Sequence, residues 1–192
     1  MNVLLLGPQG SGKGTQAKRI EAEYGIPHIA TGDMLRAAIE QGTELGQKVK
    51  PILERGELVP DELMIELIRD RLQQPDAEHG FVLDGFPRTS TQADALDAML
   101  DEIDRDLSVV FEFQVPDTVA TERLLKRAEL EGRTDDAPDV IARRLKLYHA
   151  QTEPLVEHYR MHGNLVGVHA DRPANQVFTE IQDSLEQAAA RG

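Results

Sequence analysis

Cysteine is missing from all 192 residues, which excludes disulfides and thiolate-ligated zinc at the outset. The six histidines read as scattered single residues with no pair at metal-ligand spacing. His28, His149, His158 and His169 are expected to cap or fill local environments. No apolar stretch approaches the roughly 18 residues of a membrane helix. The chain opens directly on an apolar strand, without the charged and apolar regions of a signal peptide. A soluble cytoplasmic protein is therefore expected. Basic side chains are in deficit, 21 against 34 acidic ones, for a net charge of −13. That balance argues against duplex nucleic acid or an anionic membrane as partner. A small anion is a different case, because at physiological salt charges are screened beyond about 8 Å and arginines at contact distance dominate.

Against these absences stands Gly7-Pro8-Gln9-Gly10-Ser11-Gly12-Lys13-Gly14-Thr15. Val3 to Leu6 before it reads as a buried parallel strand, and Thr15 to Tyr24 after it has the composition of a helix. A glycine-rich loop in that context aims backbone N–H groups at an anion by the helix N-terminus, and Lys13 adds a positive charge for outer phosphates. The pattern departs from G-x-x-x-x-G-K-[ST] in one place. Gly14 follows the lysine and the hydroxyl comes at Thr15, so direct hydroxyl ligation of Mg²⁺ of the usual kind is not expected.

The length suits one α/β domain with a core of its own. Apolar runs at Val3 to Leu6, Pro27 to Ala30, Phe81 to Leu83, Val109 to Val115 and Leu165 to Val168 alternate with helical patterns. Those patterns fall near 13–24, 61–73, 90–103, 117–130, 139–162 and 174–190, with Asp61, Thr89, Asp117 and Asp139 as expected caps. Five strands separated by helices predict a parallel sheet. Two segments break the alternation: 30–59, as two short helices split near Gly42, and a polar loop at about 128–137. Both are expected over the carboxyl edge of the sheet, where open α/β folds bind ligands.

Phe81-Val82-Leu83-Asp84-Gly85-Phe86-Pro87-Arg88 is the second informative stretch. An aspartate at that strand end sits beside the glycine-rich loop and can hold Mg²⁺ directly or through water. Arg88, planar and permanently charged, suits a bidentate grip on phosphate. Arginines at 123, 127, 133 and 144 add cations, although each has acidic neighbours such as Glu122, Glu129 and Asp139 for ordinary surface pairing. One lysine, one Mg²⁺-associated aspartate and several arginines are what phosphoryl transfer requires, since that reaction asks mainly for alignment and charge neutralisation.

Gly7 to Thr15, Thr31-Gly32-Asp33 with Arg36, Asp84 to Arg88 with Gln92, and Gly132-Arg133 with Asp135-Asp136 resemble, in this order and over almost the whole chain, the adenylate kinases. The resemblance implies a three-layer α/β P-loop NTPase fold, a five-stranded parallel sheet flanked by helices. It divides the chain into a CORE (1–29, 60–126 and 138–192), an NMP-binding segment (30–59) and a short LID (127–137). The implied reaction is reversible transfer from MgATP to AMP, giving two ADP, in adenine nucleotide homeostasis. ATP is expected on Gly10, Ser11, Gly12, Lys13, Gly14, Thr15, Arg123, Arg127 and, near the adenine, Arg172. AMP is expected on Thr31, Arg36, Glu57, Leu58, Val59, Gly85, Phe86, Pro87, Arg88, Gln92, Arg133 and Arg144. Lys13, Arg88, Arg123, Arg133 and Arg144 carry the catalytic roles, and Asp84 holds Mg²⁺ through water.

Five residues separate Arg127 from Arg133, where long-form members insert a β subdomain that often binds zinc; this chain resembles the short form, with no zinc and as a monomer. A pyrimidine nucleoside monophosphate kinase would share loop, turn and arginines. Arg88-Thr89-Ser90-Thr91-Gln92 favours AMP, because the Gln92 amide can pair with an adenine edge. A nucleotide-binding switch without transferase activity is the other alternative, but the guanine-reading Asn-Lys-x-Asp of a GTPase is absent.

Overall fold

The computed structural model describes residues 1–189. Its frame is a parallel sheet in the order β2-β3-β1-β4-β5, with β1 Asn2–Leu6, β2 His28–Ala30, β3 Phe81–Asp84, β4 Val109–Gln114 and β5 Leu165–His169. All five residues of β1 are buried, as a central strand covered on both faces must be. Alternation along the strand sends Leu4 and Leu6 to one face and Val3 and Leu5 to the other.

Nine α-helices lie among the described residues: α1 Lys13–Tyr24, α2 Thr31–Glu40, α3 Glu44–Glu54, α4 Asp61–Leu72, α5 Ser90–Glu102, α6 Asp117–Glu131, α7 Pro138–Leu147, α8 Leu155–Met161 and α9 Ala174–Ala189. Ile68 of α4, Leu96 of α5 and Tyr159 of α8 join Leu4 and Leu6 in one core. Ala17 and Ile20 of α1, with Ile181 and Leu185 of α9, pack with Val3 and Leu5 in the other. The result is the expected three-layer arrangement. A small third cluster, Ala120, Leu124, Ile141 and Leu145, ties α6 to α7.

The segment 30–59 folds as α2 and α3, divided at Gly42; Thr43 caps α3 by accepting from the Gly46 N–H at 3.0 Å. Elsewhere the expected boundaries shift. The helix expected over 139–162 is broken into α7, a π-helical stretch Tyr148–Thr152 and α8, because Pro154 has no N–H to continue an α-helical ladder. The polar loop expected from 128 starts later: α6 runs to Glu131, where the Gly132 N–H closes it on the Ala128 carbonyl at 2.9 Å. Thr89 caps α5 as expected, accepting from the Gln92 N–H at 3.2 Å. Asp61 and Asp117 stand at the first position of their helices, after Pro60 and Pro116. Asp139 lies one position further in, behind Pro138. The expected end of the last helix at 190, and the final CORE residues, fall outside the described residues.

The glycine-rich loop, α2, the Asp84 to Arg88 turn and α6 each leave from the carboxyl end of a strand. The β1–β3 register sets Leu5 against Asp84, which brings the end of β3 beside the start of the glycine-rich loop. Both strands depend on the α4/α5 core. Leu96→Ala, at a fully buried position, is expected to cost about 2–5 kcal/mol of stability, read as a lower urea midpoint with unchanged slope.

Candidate active site

The glycine-rich loop leads from β1 into α1, and its conformation excludes side chains at key points. At Gly10, φ is +81° and a Cβ would lie 2.5 Å from the Ala120 carbonyl of α6. The loop is thus wedged under the helix that carries Arg123 and Arg127. Lys13 opens α1 and folds back over the loop, its Nζ donating to the carbonyls of Gly7 at 2.7 Å and Pro8 at 2.8 Å. Loss of hydration in the cavity lowers its pKa to about 8, and Asp84 opposes that fall.

Asp84 ends β3 with His28 Nε2 at 3.5 Å from Oδ2. Burial alone would raise its carboxyl, but His28, Lys13 and Arg88 together hold it below the usual range. The carboxylate is therefore charged at neutral pH. A Cβ on Gly14 would stand 3.7 Å from Asp84 Oδ2, so glycine leaves space beside the carboxylate that a serine or threonine would fill. A hydrated Mg²⁺ fits such a donor set, one carboxylate in a phosphate-binding cavity.

The turn after Asp84 is locked from several sides. Gly85 has φ +89°, and a Cβ there would come 2.4 Å from Thr31 Oγ1. Arg88 Nε donates to the Gly85 carbonyl at 2.7 Å, and Thr152 Oγ1 donates to the Arg88 carbonyl at 2.9 Å. Gln92 Oε1 accepts from the Arg88 N–H at 2.8 Å while its Nε2 donates to Asp61 Oδ1 at 2.8 Å. That amide braces the turn, with one N–H and one lone pair left for a ligand. Desolvation, reinforced by the charge of Arg144, brings the Arg88 pKa down to about 10.

Two adjacent carboxylates gather the remaining guanidinium groups. Arg127 of α6 binds Asp136 in a two-pronged pair at 2.7 and 2.8 Å. Arg144 of α7 reaches the same carboxylate at 3.0 Å and Asp135 Oδ2 at 3.5 Å, and Arg36 of α2 lies 3.7 Å from Asp135. The Asp136 pairing outweighs desolvation at Arg127 and raises its pKa, whereas burial lowers that of Arg144. Arg123 donates to the Ala170 carbonyl at 2.9 Å and the Ser11 carbonyl at 3.3 Å; Arg133 pairs with Glu131 at 2.7 Å.

These groups surround one cavity of about 480 Å³, lined by Gly10, Gly12, Lys13, Gly14, Thr15, Asp84, Gly85, Pro87, Arg36, Arg88, Arg123, Arg127, Arg133 and Arg144. A smaller recess of about 50 Å³ shares Arg36, Arg88 and Arg144 with it and adds Thr31, Glu57, Leu58, Val59 and Gln92. Three of the expected residues line neither space. Ser11 and Phe86 are 1% exposed, and Arg172 turns to the His169 carbonyl and Glu180. The sequence reading missed His28, Tyr148, Thr152 and Gln9, all of which line the main cavity. Gln9 Oε1 is buried without a partner. Its place inside the glycine loop was the available signal.

The family model for adenylate kinase matches residues 5–164. The chain belongs to the adenylate kinase family. An adenylate kinase of Caulobacter vibrioides is 48% identical over 190 residues, covering 99% of this chain and all of the relative. One from Parvibaculum lavamentivorans is 45% identical, over 100% and 95% of the two chains. The adenylate kinase of Archaeoglobus fulgidus is 42% identical over 97% and 99%, but that alignment runs to 214 positions, so the archaeal relative carries inserted residues.

The lowered pKa of Lys13 in this adenylate kinase family member has a measurable sign. Above pH 8 the free lysine is mostly neutral, and a triphosphate beside it restores the charged form. ATP binding at pH 9 is therefore expected to take up a proton and to weaken as pH rises through about 8. Calorimetry in buffers of different ionisation enthalpy reads the uptake, which should vanish in Lys13→Met.

Proposed function

We propose that this adenylate kinase family member catalyses reversible ATP:AMP phosphotransfer, with the nucleoside triphosphate on the glycine loop and the monophosphate over the recess. What carries this reading is the convergence of Lys13, Asp84 and the guanidinium groups of Arg36, Arg88, Arg127 and Arg144 on one cavity. Donor and acceptor oxygens must approach in line while charge spreads over the moving phosphoryl group, and fixed cations meet that requirement without covalent chemistry.

In this division of labour the loop from Gly10 to Thr15 cradles the ATP phosphates, Lys13 charges the outer ones, and Arg123 and Arg127 close from α6. Thr31, Arg36 and Arg88, with the Glu57 to Val59 strip, hold AMP. Arg133 and Arg144 reach both nucleotides. Asp84 would hold Mg²⁺ through water, and the ion supplies neutralisation of the phosphate oxygens. Gln92 acts first as the brace of the Arg88 turn, and its spare hydrogen-bonding capacity faces the base. Arg172 contributes through its backbone near the ATP adenine. The CORE, NMP-binding and short LID segments keep the boundaries given above, with 127–131 as the last turns of α6. Among the described residues no helix is long and apolar enough to cross a membrane. A monomer working in the cytoplasm completes the proposal.

The carboxylates of Asp135 and Asp136 give the arginines a counter-charge that phosphate oxygens would take over. Closure over the reactants would also exclude water, which otherwise diverts transfer into hydrolysis.

Separate incubations of MgATP with AMP, CMP, UMP and GMP, followed by chromatography of the diphosphates, test the assignment. ADP formation with AMP alone is expected; preference for CMP or UMP overturns the acceptor, and no transfer overturns the activity. Lys13→Met is expected to lower kcat about 10²–10³-fold, the usual cost of losing one preorganised charge-stabilising donor, with an unchanged circular dichroism spectrum. Arg88→Ala should raise KM for AMP well beyond any change in KM for ATP; equal changes would remove Arg88 from the acceptor side.

A further inference from the structure

Outside this cavity, between α5 and the end of α8, three potential metal ligands meet. His158 and His162 stand four residues apart at the end of α8, so the helical repeat puts both rings on one side. Asp97 of α5 faces them, and one ligand atom from each of the three lies within 4.8 Å of the others. We propose that Asp97, His158 and His162 form a binding site for Zn²⁺ or a similar borderline transition ion.

Geometry and proton placement both suit that chemistry. Tetrahedral zinc with bonds of about 2.0–2.1 Å sets its ligand atoms roughly 3.4 Å apart. His158 Nε2 and Asp97 Oδ2 are 2.9 Å apart, and their side chains are 29% and 37% exposed, free to part by the half ångström that pair needs, while the exposed His162 ring closes in from within 4.8 Å. His162 Nδ1 lies 2.8 Å from the His158 carbonyl. A carbonyl only accepts, so Nδ1 carries the proton and Nε2 of the neutral ring presents its lone pair. This is the outer hydrogen bond that orients metal-ligating histidines elsewhere. At His158, metal at Nε2 requires the ring proton to sit on Nδ1, and the Asp97 oxygen then trades a hydrogen bond for a metal bond.

The donor set, two imidazole nitrogens and one carboxylate, leaves a fourth position for water. It selects borderline ions over Mg²⁺, which prefers oxygen ligands alone. The site therefore does not compete for the ion carried by the nucleotide.

The spacing of His158 and His162 contradicts the reading of scattered histidines given above. What hid the site is that its third ligand sits 61 residues upstream of His158, where only the packing of α8 against α5 brings it near. An ion there would join α5, which begins two residues after Arg88, to α8, which follows Thr152. It stabilises the folded chain by binding that state alone.

The test uses metal-stripped, nucleotide-free full-length protein titrated with Zn²⁺ and, for its visible ligand-field bands, Co²⁺. One equivalent is expected to bind, with the tetrahedral Co²⁺ spectrum. At free Zn²⁺ about 100 times Kd, Tm should rise by roughly 5–10 °C. His162→Gln, at an exposed position, should abolish both signals while keeping the apo Tm, and His158→Gln/His162→Gln should likewise abolish both. Asp84→Asn and His149→Gln should keep them, since the cavity carboxylate and the separate His149–Asp117–Glu153 contacts lie elsewhere. No spectrum and no Tm shift in the unaltered protein overturns the site, as does persistence of both in the double variant.

Discussion

Mutual repulsion among cations is the constraint around which this molecule is arranged. Lys13 and the guanidinium groups of Arg36, Arg88, Arg127 and Arg144 all line one cavity, in a chain whose overall charge is strongly negative. Left alone they would turn outward to water. Three carboxylates hold them: Asp84 beside Lys13, and Asp135 and Asp136 among the arginines. The backbone contributes as well, through the loop carbonyls that receive Lys13 and the Gly85 carbonyl that receives Arg88. Five cations against three carboxylates leave the cavity with positive charge in excess, poised for an anion, while the ion pairs limit the repulsion, and that condition dictates where the loop, the β3 turn and the 133–137 turn must lie.

Much of this arrangement was legible in the linear chain, because the parts that carry it are local. The loop from Gly7 to Thr15 announces its strand, turn and helix within nine residues, and the Asp84 to Arg88 turn does so within five. Burial of both faces made β1 and β3 apparent as continuous apolar runs. The cap at Thr89 followed the same local logic. Proline upset it elsewhere: Pro60, Pro116 and Pro138 take the entry positions of α4, α6 and α7, and leave Asp61 free to receive Thr89 and Gln92 from another element.

What escaped the sequence were relations between segments. Asp135 and Asp136 could be quoted as a motif, but their service as counter-ions to three arginines from α2, α6 and α7 depends on how those helices converge. Gln92 was read as a base reader because a glutamine amide can pair with adenine; its neighbours in space use both ends of that amide first. His28 lies in a short edge strand and acquires meaning only through sheet order, which sets Ala30 beside Asp84.

The π-helical stretch between α7 and α8 has a consequence of phase. It closes with the Glu153 N–H on the Tyr148 carbonyl, five residues back rather than four. Each residue of an α-helix turns the direction of the next side chain by about 100°, so this widened turn decides the azimuth of everything that follows. Thr152 meets the Arg88 carbonyl and His158 meets Asp97 because both are dialled in by the same irregularity. Removing one residue between 148 and 152 would make a smoother helix, yet swing two unrelated contacts off their targets together.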